Sequence, residues 1–232
     1  MTGRNKMNEW IKGAKAEGRN LYEFEAWELF RSYGIPVPKC RLARTADEAV
    51  SAASEIGYPV VLKIVSRDIL HKSDVGGVKV KLPDADSVRS AYQEILDNVG
   101  KARPDAVIDG VLVNEMLKPG LETIIGMTKD VSFGPALMFG LGGIFVEVLK
   151  DVSFRVLPIT KEDALGMIKE IKGYKLLTGV RGEKPKDIEG MADLLLKAAR
   201  MIEENPEIKE LDINPCYLYE DKVIPADARV ML

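Results

Sequence analysis

Apolar residues recur at helix or strand spacing along most of the chain, and each change of period marks an element. Leu21, Phe24, Trp27 and Phe30 repeat every three residues, the stripe of an amphipathic helix, which Gly34, Pro36 and Pro38 stop. Residues 39–43 suit a short strand. Thr45 and Glu48 stand at capping-box spacing and open a helix that ends at Gly57 and Pro59. Val60 to Val65 (VVLKIV) reads as a buried strand and 78–82 as an alternating one. Val88, Ala91, Tyr92, Ile95 and Val99 form the apolar face of a helix over 85–99. The polar segment SRDILHKSDVGG, 66–77, is a loop closed by two glycines.

Beyond GKARPDA the pattern turns to strands, at 110–116, 121–128, 135–139, 144–149 and 153–158, divided by KPG, KDVSFG and GLGG. Thr160 starts a helix over 161–172, a second covers 187–204, and strands near 208–213, 217–220 and 222–230 close the chain. Residues 1–20 have no clear period and are expected to be a mobile arm or a loose first helix. The class is α+β, with an arm or helix over 1–20, a first lobe over 21–108 and a second over 109–232. A cleft between two such lobes is a common nucleotide site.

Composition removes whole classes. With 46% apolar and 30% charged residues in 232, the chain is neither disordered nor a disulfide scaffold. Net charge is −3, so no basic excess argues for nucleic acid, and no apolar run approaches the ~18 residues of a membrane span. Cys40 and Cys216 lie far apart without ligand spacing, which suits a reduced, cytoplasmic setting. A single glutamine, Gln93, amid plentiful Lys and Glu leans toward a heat-adapted source.

Four places offer chemistry. Lys63, inside an apolar strand, either reaches a nucleotide phosphate or lies on the wet face of a half-buried strand. His71, the sole histidine, stands in the 66–77 loop, where Gly76 and Gly77 permit unusual backbone and their N–H groups could cradle phosphate. The bland reading is a surface histidine beside an ordinary turn. Glu115, in LVNEMLKPG, either meets an adenine or ribose or is a solvated strand charge, and Glu122 and Glu147 invite the same choice. Arg155 is a candidate phosphate clamp. The strongest signal is ELDINP, 210–215, followed by PADAR, 225–229. Asp212 and Asn214 share a strand face, and an antiparallel return brings Asp227 beside Asn214. One amide oxygen, one carboxylate and waters suit Mg²⁺ completed by phosphates.

Taken in order, VVLKIVS-RDILHKSDVGGV, VLVNEM-KPGLETIIG, FGLGGIFVEVLKDVSFRVLPI, ELDINP and PADARV resemble the beta subunit of NDP-forming (ADP-forming) acyl-CoA synthetases of the acetate–CoA ligase type, from about Leu21 to the end. That subunit is related to the succinyl-CoA synthetase beta subunit. The resemblance implies an ATP-grasp fold of two subdomains with ATP or ADP in the cleft between them. It implies a reversible reaction in which acyl-CoA, ADP and phosphate give free acid, ATP and CoA. It implies an alpha subunit that carries the CoA and acyl sites, in an α2β2 heterotetramer. His71 falls on the position of a phosphate-relaying histidine, and Asp212 on a carboxylate facing phosphohistidine, where the succinyl-CoA relatives have Glu. Lys63, Gly76, Gly77, Glu115 and the backbone of Met116 fall on nucleotide-binding positions, and Asn214 and Asp227 on Mg²⁺ ligands. Two other readings stay open here: a stand-alone ATP-grasp carboxylate ligase without a histidine relay, and a non-catalytic nucleotide sensor.

Overall fold

The computed structural model describes residues 3–143, 150–180 and 182–232, with side chains from residue 9 onward. The expected strand at 144–149, with Glu147, lies outside the described residues. The chain divides into two compact units, residues 38–118 and residues 1–37 with 119–232.

The 38–118 unit is a four-stranded antiparallel sheet in the order β1 (Cys40–Ala43), β4 (Ile108–Glu115), β2 (Val60–Ser66), β3 (Val78–Leu82). Helices α3 (Ala46–Ile56) and α4 (Ala85–Ala102) cover one face. The helix starts are local: the Thr45 hydroxyl accepts the Glu48 N–H at 3.1 Å, and Asp84 accepts the Ser87 N–H at 2.9 Å. Leu62, Ile64, Val111 and Val113 point into a core shared with Ala49, Ala52, Val88 and Ile95. Strand alternation then puts Val61, Lys63, Leu112 and Asn114 on the other face. The expected lobe boundary at 108/109 is corrected, because it would cut β4, an inner strand paired on both sides.

The second unit holds the sheet β10 (Ala228–Met231), β8 (Glu210–Leu218), β5 (Leu121–Asp130), β6 (Gly134–Leu141), β7 (Val152–Val156), with β9 (Val223–Pro225) paired to β8. The expected strands near 208–213 and 217–220 are one strand, β8, which runs through Pro215 by a bulge: Asn214 and Pro215 together oppose Ile124 of β5. Helix α5 (Lys161–Glu170) packs on β6 and β7 and against α7 (Ile188–Glu204), with the short α6 (Tyr174–Leu177) between them in sequence.

The N-terminal segment forms a helix, α1 (Gly3–Ala16), which buries Ile11 and Ala14. Its Trp10 ring meets the Phe24 ring edge-on at 6.2 Å. Helix α2 (Glu23–Ser32) buries Trp27 and Phe30 completely. Between the helices, Arg19 grips both oxygens of the buried Glu25 carboxylate, at 2.6 and 2.8 Å, and lies over the Tyr22 ring. The Leu21 N–H donates to the Val230 carbonyl, so α2 belongs with the C-terminal unit rather than with residues 38–118.

Candidate functional site

The 38–118 unit gathers one set of the expected residues around β2. Lys63 is 7% exposed and stands opposite Val78 of β3 and Leu112 of β4. The loop that carries His71 leaves the end of this strand and returns beside it, because the Ile64 N–H donates to the Gly77 carbonyl at 2.7 Å. His71 is exposed, and so is Leu70 before it. A 3₁₀ turn, Ser73–Val75, follows.

The two glycines do something other than expected. Gly76 has φ 65°, in the left-handed region. At Gly77 an added Cβ would stand 2.5 Å from Ile64 Cγ2 and 2.9 Å from the Lys72 carbonyl oxygen. Their N–H groups donate to the Ser73 and Lys72 carbonyls, at 3.1 and 2.8 Å, so they close the loop instead of facing a phosphate. The loop also has apolar anchors: Ile69 is buried in the core cluster and Val75 packs against it. Asp68 accepts the Val107 N–H at 2.8 Å and fixes the first shoulder.

Glu115 ends β4. Its N–H donates to the Lys39 carbonyl at 2.8 Å and its carboxylate accepts the Lys39 N–H at 3.2 Å. Met116 follows, partly buried, in the irregular segment before β5. Asn114, which the sequence reading passed over, is 3% exposed, with both amide atoms buried and unbonded. The available signal was an amide within an otherwise apolar strand, GVLVN.

The second unit holds the acidic set. The register runs Phe154, Met138, Gly126, Asp212, Arg229 across five strands, which places these positions on one face of the sheet. Asn214 is two residues beyond Asp212 and exposed. Its N–H donates to the Asp227 carbonyl at 3.2 Å, so the antiparallel return does bring the two side by side. Asp227 is partly buried, with Oδ1 withdrawn from solvent. Arg229, unassigned by the sequence, donates to Asp212 Oδ2 at 2.6 Å. Glu122 is exposed at the start of β5, with Gly142 and Gly143 close against it.

Arg155 is a correction. It shares the register row of Leu137, Met127 and Leu211, the opposite face from Asp212, and donates to Glu170 of α5 at 2.8 Å. Strand parity therefore turns it toward α5 and away from the acidic set.

Among the described residues no group of three or more His, Cys, Asp or Glu side chains could hold a metal ion. Asn214 and Asp227 form a two-ligand set, which fits Mg²⁺ only as a partial shell that phosphates and waters complete. No helix of the described residues is long and apolar enough to cross a membrane.

Comparison with known proteins places these features in a lineage. An ATP-grasp domain matches residues 13–232. The chain belongs to the ATP-grasp family. Within it the chain is 56% identical over 227 residues to the acetate–CoA ligase [ADP-forming] I subunit beta of Pyrococcus furiosus, covering 98% of both chains. This ATP-grasp chain also resembles an acetyl-coenzyme A synthetase of Ca. Korarchaeum cryptofilum solved with coenzyme A and Mg-AMPPCP, whose phosphohistidine segment points towards the nucleotide binding site. That match has a TM-score of 0.86 at 49% identity and covers 97% of this chain and 99% of the other. The same enzyme has been solved with its phosphohistidine segment phosphorylated and in another orientation, called site I (TM-score 0.91, 51% identity, 97% and 99% coverage). The ATP-grasp family thus includes both the acetate–CoA ligase beta subunits and, more distantly, a succinate–CoA ligase beta subunit of Halorubrum lacusprofundi, 30% identical over 213 residues.

Proposed function

We propose that this chain is the nucleotide-binding beta subunit of an ADP-forming acyl-CoA synthetase, with acetyl-CoA the first substrate to test, and that His71 relays the phosphoryl group. The carrying observation is that the sole imidazole stands exposed on a loop that leaves and re-enters the fold beside buried Lys63. The similarity to acetate–CoA ligase beta subunits supports the same reading. In the ATP-forming direction, a phosphoryl group leaves a phosphohistidine of the alpha subunit as His71 nitrogen bonds to phosphorus. That new N–P bond then breaks as a β-phosphate oxygen of ADP takes the group, giving ATP and a free imidazole.

Each residue has a part. Lys63 brings a positive charge to phosphates whose charge spreads during a loose transfer. Asp212 supplies a carboxylate able to accept an imidazole N–H of a phosphohistidine and hold its ring in one tautomer. Glu115 and the Met116 backbone border the base, Gly76 and Gly77 shape the loop, and Glu122 belongs to the nucleotide-binding set. Asn214 and Asp227 would hold Mg²⁺, which when bound neutralises phosphate charge.

The partner is an alpha subunit that carries the CoA and acyl sites, in an α2β2 assembly. A longer relative supports this: the chain aligns with only 33% of the acetate–CoA ligase [ADP-forming] I of Archaeoglobus fulgidus. Two cysteines outside any disulfide, one of them buried, agree with a cytoplasmic setting.

The test is incubation with Mg²⁺ and γ-labelled ATP. Acid-labile, base-stable label on this chain, absent from His71→Asn, is the expected result. A His71→Asn enzyme that keeps full acyl-CoA synthesis with its partner would favour the stand-alone ligase, and a wild-type chain that binds nucleotide but never takes label would favour the sensor.

A further inference from the structure

Asn114 is the buried polar group of the 38–118 unit that the fold leaves unused. It is 3% exposed, and neither its Nδ2 nor its Oδ1 meets a hydrogen-bond partner in the protein. Taking an amide out of water without replacing its hydrogen bonds is unfavourable, and an apolar side chain of similar size would serve a core better. The amide therefore points to a bonding partner that the chain itself does not provide.

Its position indicates what that partner is. Asn114 pairs with Val61 on β2, two residues along the strand from Lys63, and alternation places Asn114 and Lys63 on the same face. Such diagonal neighbours lie roughly 7–8 Å apart. A molecule with a hydrogen-bonding plate at one end and phosphates at the other spans these two side chains. The neighbouring carboxylate does not compete for the plate, because Glu115 is engaged with the Lys39 N–H.

An asparagine side chain offers one donor and one acceptor side by side, the complement of adenine N7 and N6–H₂. Guanine presents two acceptors, N7 and O6, along the same edge, so Oδ1 would face an acceptor. We propose that Asn114 is the specificity-determining residue of this site and selects adenine nucleotides through the N6/N7 edge. The inference rests on the nucleotide-binding role proposed above and adds to it the residue that reads the base.

Calorimetric titration of the full-length chain with ADP, GDP and 7-deaza-ADP tests it, on wild type and Asn114→Leu. Wild type is expected to prefer ADP over both others by roughly tenfold or more. Asn114→Leu should weaken ADP by a similar factor, leave GDP unchanged and melt no lower than wild type. An ADP/GDP ratio unchanged by the substitution overturns the proposal. So does equal wild-type affinity for ADP and 7-deaza-ADP, a comparison that needs no variant. A wild-type chain that binds none of the three overturns the nucleotide-binding role instead.

Discussion

Arg229 Nη2 lies 2.6 Å from Asp212 Oδ2, across a directly paired position of β8 and β10. Both side chains are partly exposed, 37% and 22%, so the pair contributes only about 0–1 kcal/mol to stability. Its geometric effect is larger, because it holds one oxygen of Asp212, the carboxylate proposed above to accept an imidazole N–H. Arg229→Met should therefore leave the melting temperature within about 4 °C of wild type but slow labelling of His71 by γ-labelled ATP at saturating nucleotide. Arg229→Lys should recover part of that rate. Equal labelling rates in all three proteins would remove Arg229 from the mechanism.

Replacing His71 should separate binding from transfer. The side chain is exposed, so His71→Asn should change stability by less than about 0.5 kcal/mol in denaturant unfolding. ADP affinity should persist while net acyl-CoA turnover with the alpha subunit falls to background.

The shoulders of the loop should answer differently from its crown. Ile69 is buried, so Ile69→Ala should cost about 2–4 kcal/mol, whereas exposed Leu70→Ala should cost under about 0.5 kcal/mol. Gly77→Ala should cost about 1–3 kcal/mol, because the new methyl collides with Ile64 and the Lys72 carbonyl. Chemical denaturation of the three variants measures each.

The two cysteines should differ in chemistry. Burial pushes the Cys216 thiol up to about 12, partly opposed by its hydrogen bond with Thr123. At pH 8 a thiol reagent should modify Cys40 and spare Cys216 until the protein unfolds. The raised value also sets a sign. The Cys216 contribution is intact below the unfolded thiol value, near 9, and is lost as pH rises from there toward 12. A denaturation series from pH 8 to 11 should show stability falling over that window, and falling less in Cys216→Ala.

What could be read from the chain was local. VVLKIV, the Thr45 cap and the polar loop with its glycines each carry their signal within a dozen residues. The neighbourhood of Asn214 and Asp227 was legible too, since one short antiparallel return is enough to bring them side by side. Helix α1 was legible only as one of two alternatives, because its segment is polar and is held by the partners of Trp10, Ile11 and Ala14 elsewhere in the chain. The place of β4 in the first sheet depends on pairing with β1 and β2, which no local pattern encodes. Arg155 looked eligible because sequence gives alternation but not which side the helix covers. Arg229 and Asn114 were hidden for a similar reason, as one is defined by its cross-strand neighbour and the other by having none that it can bond.

Ile69, seated in the core two residues before the imidazole, acts as a tether. Two residues of extended chain reach about 7 Å, so with Ile69 in place the His71 Cα can be displaced by no more than about 14 Å between its extreme positions. Any longer journey must first pull the isoleucine out of its seat, which costs about 2–3 kcal/mol of lost burial. The range of the proposed carrier is thus set by a buried hydrophobic side chain two residues from the imidazole.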